Sequence, residues 1–134
     1  GDPAFGWSDP GGPTPPAQYR LNRRGGDAPT LWDPAWAGLG ASQNEIDAAH
    51  ANWGIGRVLL QKKDTPSKFY GRKGMYLHGG LGNPAGHWFT VGCVKVSDGD
   101  WTTIIEEYLK KSKSGFIPFK VNYPVGGQYK ETVP

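Results

Sequence analysis

His78 and Cys93, with fourteen residues between them, can act together as base and nucleophile. MYLH, ending at His78, reads as a short apolar strand that breaks at Gly79-Gly80. CVKVS, starting at Cys93, reads as a second strand, because apolar and polar residues alternate. If the two strands are neighbours, an imidazole and a thiol meet where a substrate can reach both. The imidazole would then lower the thiol pKa and release the attacking thiolate. Gly92 lets a carbonyl approach closely, and the backbone N–H groups of Gly92 and Cys93 are placed to hold an oxyanion. No Asp or Asn stands out to orient His78; the adjacent carbonyl of Gly79 is the candidate. Taken alone, Cys93 reads as a buried small hydrophobe.

The elements around this pair are short. The 134 residues make one domain over 1–134, and 21 Gly with 12 Pro favour a mainly β chain rich in turns. Residues 1–16 form an irregular Pro/Gly segment that Phe5 and Trp7 should pack onto the domain. AQYRLNR (17–23) reads as a strand with Tyr19 and Leu21 on one face. Residues 24–41 form a long loop containing Trp32 and Trp36. SQNEIDAAHANW (42–53) reads as a helix with Ser42 and Glu45 as a capping box, Gly54 as its stop and His50 on its face. RVLLQKKD (57–64) reads as one strand and TPSKFYGRKG as a connector.

Beyond Cys93, Ser97 or Asp98 should cap a helix over 101–111, with Trp101, Ile104, Ile105 and Tyr108 on its apolar face. Glu106 and Glu107 are spaced to pair with Lys110 and Lys111. IPFKVNY (117–123) is a last strand, and 124–134 a polar tail. The fold class is therefore mainly β, with mixed sheets and two short helices.

Composition narrows the function classes. The net charge of +3 is mild, and the basic residues are scattered without the aromatic interleaving of a nucleic-acid binder. One cysteine excludes an internal disulfide, and three dispersed histidines lack zinc-site spacing, so no metal or other cofactor is expected. No apolar run approaches a membrane span, and the N-terminus has no signal-peptide pattern.

The motifs resemble those of the L,D-transpeptidases, bacterial cell-wall enzymes with the YkuD-type fold, a β-sandwich. Leu77-His78-Gly79-Gly80 is similar to their strand ending in His-Gly, and Thr90-Val91-Gly92-Cys93-Val94-Lys95-Val96 to their cysteine motif. Thr14-Pro15-Pro16-Ala17-Gln18-Tyr19 is similar to their entry into a strand. The resemblance runs from about residue 8 to 124, with no clear counterpart for 24–56. Val91 stands where the family usually has histidine, Lys95 where it has arginine, and Ala17 where it has glycine. A motif without the second histidine resembles divergent type VI secretion effectors of this class, toxins that act in a rival's periplasm.

The resemblance implies that Cys93 attacks the third residue of a peptidoglycan tetrapeptide and releases the terminal D-Ala. His78 moves the proton, and Gly79 orients His78. An amine then resolves the thioester, giving a cross-link or an exchange; water gives carboxypeptidase action. Tyr76, Trp88, Thr90, His87, Lys95 and Arg72 are the candidate substrate contacts. His87 either stands in for the missing histidine or is a loop residue beside Trp88. Arg72 and Lys95 would meet stem-peptide carboxylates, although Arg72 also reads as a solvated turn residue. The implied partners are peptidoglycan stem peptides, and for an effector an immunity protein or secretion component; the implied site of action is the periplasm or envelope. Two alternatives stand beside this reading: a wall- or partner-binding module on the same fold, and cysteine chemistry on another substrate.

Overall fold

The computed structural model describes residues 6–9, 12–31, 42–44, 54–80 and 93–123. Its strands are β1 (Ala17–Asn22), β2 (Thr30–Leu31), β3 (Gly56–Leu59), β4 (Gln61–Lys62), β5 (Tyr76–His78), β6 (Val94–Lys95) and β7 (Phe116–Val121). They form a three-stranded sheet, β4-β1-β7, and a four-stranded sheet, β2-β3-β5-β6. All pairings are antiparallel except β5 with β6. Beside the two sheets, the described residues hold a helix, α1 (Asp98–Thr103), that runs on into a π-helix, two short 3-10 turns, and helical residues at 43–44. Of the helix expected over 42–53, residues 45–53 lie outside the described residues, as does the tail from 124.

The alternation in β1 does what its pattern demands. Ala17, Tyr19 and Leu21 are buried and meet Val58, Leu60, Phe69, Met75, Leu77, Trp101, Ile105 and Leu109 in one core. Tyr19 packs edge-on to Phe69 at 5.3 Å and donates its hydroxyl hydrogen to Pro15 O at 2.9 Å. Pro118, which has no N–H to give, sits in β7 at one side of the first sheet.

The strand expected over 57–64 is two strands in different sheets. The chain crosses at Leu60, 3% exposed, whose N–H donates to Met75 O at 2.9 Å. Beyond it, Gln61 pairs with Arg20 and its side-chain oxygen accepts from Asn22 at 2.7 Å. The apolar run Val58-Leu59-Leu60 followed by Gln61-Lys62 reads equally as one strand, so it carries no mark of the change of sheet.

Ser97 caps α1 by accepting from Asp100 N at 3.0 Å, which starts the helix three residues earlier than expected. From Ile104 to Leu109 it continues as a π-helix, with Lys110 N bonded to Ile105 O. The wider turn of about 4.4 residues keeps Trp101, Ile105 and Leu109 on the buried side and turns Tyr108 out, 61% exposed. Tyr108 is thus a surface residue, and Leu109 takes the place assigned to it. Lys110 meets Glu106 and Lys111 meets Glu107, each at 2.7 Å, as the spacing predicts.

The described part of the N-terminal segment, 6–9 and 12–16, packs on the domain, while Phe5 lies outside the described residues. Gly12 to Pro15 are buried, Trp7 lies 5.3 Å from the Tyr123 ring, and Tyr123 donates to Thr14 O at 2.7 Å. Arg72, 5% exposed, anchors the segment: its guanidinium donates to the carbonyls of Trp7 (2.9 Å), Pro13 (2.8 Å) and Gly12 (3.3 Å). It is not a solvated turn residue. Arg72→Met keeps the stem but removes the donor from three carbonyls. We expect a loss of about 2–4 kcal/mol in urea unfolding; an unchanged midpoint would show that the segment is held otherwise.

Candidate active site

β5 and β6 run side by side and parallel, with Leu77 opposite Val94 and His78 opposite Lys95. On the other side, β3 places Arg57 opposite His78 and Leu59 opposite Tyr76. Cross-strand partners share a sheet face. One face therefore carries the row Val58, Leu77, Val94, which enters the core. The opposite face carries Arg57, His78 and Lys95 in one row. Extending the register by one residue puts Leu59, Tyr76 and Cys93 in the next. Cys93 and His78 are thus diagonal neighbours on one face, with backbone positions about 7–8 Å apart in ordinary strand geometry.

His78 is 2% exposed, and its Nδ1 lies 2.6 Å from Gly79 O. A carbonyl only accepts, so Nδ1 carries the hydrogen and the neutral ring keeps its lone pair on Nε2. Burial lowers the His78 pKa; the Gly79 carbonyl opposes the shift, and Lys95 adds to it. The imidazole therefore rests neutral, as a base requires.

The Gly79 peptide is held from several sides. Gly79 N donates to Gly56 O at 3.1 Å, and Val96 N to His78 O at 2.9 Å. Trp101 donates through Nε1 to Leu77 O at 3.0 Å. Asp98 accepts from Ile55 N at 2.9 Å, and the same oxygen would lie 2.2 Å from a β-carbon at Gly79. Gly54, at φ 64°, packs directly on the Gly79–Gly80 peptide: a β-carbon there would lie 2.2 Å from Gly79 C and Gly80 N. Gly54 therefore needs to be glycine for both its backbone angle and its contact.

Cys93 is half-buried. Burial pushes its thiol pKa up, opposed by the Tyr76 backbone N–H at its sulfur and by the fields of Arg72 and Arg57. The expected lowering of the thiol pKa is thus reversed. Desolvation outweighs the donors and cations around it, and the resting sulfur is a thiol.

The remaining candidates divide. Tyr76 stands beside Cys93 with the Arg57 guanidinium carbon 4.5 Å from its ring centroid. Lys95 stands beside His78, and its stem crosses Gly80, where a β-carbon would lie 2.4 Å from Lys95 Cε. Arg72 donates to three carbonyls of the N-terminal segment, and its charge acts on the Cys93 sulfur. Gly92, Thr90, Trp88 and His87 lie outside the described residues. Sequence reasoning missed Arg57, Gly54 and Asp98. Arg57 had a signal, since alternation in β3 points it away from Val58 and Leu60. Gly54 read only as a helix stop. No group of three metal-ligating side chains occurs among the described residues, and no described helix is long and apolar enough to cross a membrane.

Gly54→Ala should destabilise the protein by about 1–3 kcal/mol and slow alkylation of Cys93, because the Gly79 carbonyl must move. Thermal melting and thiol-labelling rates read the two effects. A second test uses pH. The unfolded histidine titrates near 6.5 and the folded one lower. Between those values the unfolded chain binds more protons, so stability falls as pH drops below about 6.5. His78→Gln, which keeps a donor for Gly79, should flatten that acid limb; an unchanged slope would contradict the buried neutral ring.

Compared with protein families, curated proteins and solved structures, the chain matches none of them.

Proposed function

We propose that this protein is a cysteine acyltransferase acting on peptidoglycan stem peptides, with the layout of an L,D-transpeptidase domain of the YkuD type. The observation that carries the reading is the His78 Nδ1–Gly79 O hydrogen bond, on a strand parallel to β6, which starts one residue after Cys93 rather than at it. It orients an imidazole with Nε2 as the basic atom, on the sheet face that also bears the only thiol.

In this reading the resting pair is a neutral thiol and a neutral imidazole. His78 takes the thiol proton as Cys93 attacks the carbonyl of the third stem residue. The thioester forms, the C–N bond to D-Ala breaks, and His78 returns the proton to the leaving amine. The N–H groups of Gly92 and Cys93 would hold the oxyanion. An amine acceptor then gives a cross-link or an exchange, and water gives a shortened stem. The site of action would be the periplasm or cell envelope. For an injected effector, partners would include an immunity protein or secretion component.

The raised thiol pKa favours a second reading, a module that binds wall material without turning it over. Incubation with purified muropeptides, read by mass beside Cys93→Ala and His78→Gln, separates the two. Acyl transfer predicts loss of D-Ala, its exchange or a new cross-link, reduced at least about a hundredfold in either variant. Unchanged tetrapeptides that nevertheless co-sediment with the protein would support the binding module.

A further inference from the structure

We infer that the outer face of the three-stranded sheet is a docking surface for an anionic polysaccharide, held by Arg20, Lys63 and Lys120. The inference is independent of the chemistry at Cys93. It starts from the register. β1 sends Ala17, Tyr19 and Leu21 into the core, so Gln18, Arg20 and Asn22 face outward. β7 places Lys120 opposite Gln18, Pro118 opposite Arg20 and Phe116 opposite Asn22. β4 places Gln61 opposite Arg20. One step further, Lys63 N donates to Gln18 O at 3.0 Å, which sets Lys63 opposite Gln18. Lys120, Gln18 and Lys63 thus form one row across the sheet, and Pro118, Arg20 and Gln61 the next. Gln18, Lys63, Phe116, Pro118 and Lys120 are exposed, so the face is open.

This face presents positive charge. Its two rows carry three cations and no carboxylate. The formal excess of the whole chain is also +3, so the rest of the sequence balances to zero. Arg20 is fixed in place. Its guanidinium carbon lies 4.6 Å from the Phe116 ring centroid, and its Nε donates to the Gln61 side-chain oxygen, which also accepts from Asn22. Its two Nη groups carry no hydrogen bond among the described residues, and neither Lys63 nor Lys120 has an ion pair there. Asp64, at the margin, is engaged by the N–H groups of Gln18 and Thr65 and by Lys68.

Charge complementarity selects a polyanion. Lys63 and Lys120 stand two strands apart, about 10 Å at the backbone, so a chain charged at intervals meets all three cations in turn. The amides of Gln18 and Gln61 between them suit sugar hydroxyls. Arg20 covers the one ring of the face, Phe116, which leaves no platform for stacking bases. Pro118 and that covered ring are too little apolar surface to enter a bilayer.

Biotin-labelled polygalacturonate, immobilised for interferometry, supplies the test. The full chain should bind it at low salt, release it in 1 M salt, and ignore the methyl-esterified polymer, which has the same backbone without the charge. Lys63→Gln with Lys120→Gln should weaken binding about tenfold, and Arg20→Gln about fivefold. Lys110→Gln with Lys111→Gln removes as much charge from the helix and should leave binding unchanged, as should Cys93→Ala. Melting curves verify that each variant is folded. No binding to polygalacturonate, an equal loss in the two double variants, or tighter binding to oligothymidylate or phosphatidylglycerol vesicles at the same salt would overturn the inference. Binding that behaves as expected while muropeptides stay unchanged would keep the docking face and remove the acyl transfer.

Discussion

The hydrogen bond from His78 to the carbonyl of its own neighbour, Gly79, is the constraint on which the site depends. A side chain that bonds to the next peptide is only as well placed as that peptide. The surroundings of residues 79 and 80 are built accordingly. Gly54 presses against the peptide from one direction, Asp98 fills the space at Gly79, and the Lys95 stem covers Gly80. Trp101, 1% exposed, ties α1 to the carbonyl of Leu77, one residue before the histidine. Much of the lower core thus serves to fix one carbonyl. No carboxylate or amide side chain, but the backbone carbonyl of Gly79, holds the Nδ1 hydrogen of His78.

The electrostatics favour the uncharged form of both titratable groups. Burial raises the thiol and lowers the imidazole, so the two shifts point the same way. Such a pair rests with its proton on sulfur and its imidazole neutral. A thiolate–imidazolium pair would be more nucleophilic at rest, but also more open to oxidation. The fields of Arg72 and Arg57 offset part of the thiol's desolvation without reversing it, whereas Lys95 pushes the imidazole further down.

Much of the β framework was legible in the sequence, because alternation is written into 17–22 and the strand read over 117–123, and an apolar run stopped by Gly79-Gly80 marks 76–78. The helix cap at Ser97, the two ion pairs of the helix and the Gly79 carbonyl as partner of His78 were also readable from local spacing. Three features were not. The change of sheet at Leu60 falls inside an apolar run, Val58-Leu59-Leu60, that reads equally as part of one strand. The π-helical turn shifts the buried face by one residue, which exchanges Tyr108 for Leu109. Arg72 is a long-range clamp, and nothing near it in sequence reveals that its partners lie about sixty residues earlier. Arg57 escaped notice for a related reason: its neighbours on the sheet face come from β5 and β6, so its meaning appears only with the register.

The passage through Leu60 also bears on how the domain comes apart. Consecutive strands on either side of one buried residue belong to different sheets, and no spare length joins them. Neither layer can loosen without pulling on the other, so partial opening along that seam is denied to the chain. Amide exchange in β1 and β3 should share one protection level, and the thiol face would be lost only when the whole domain unfolds.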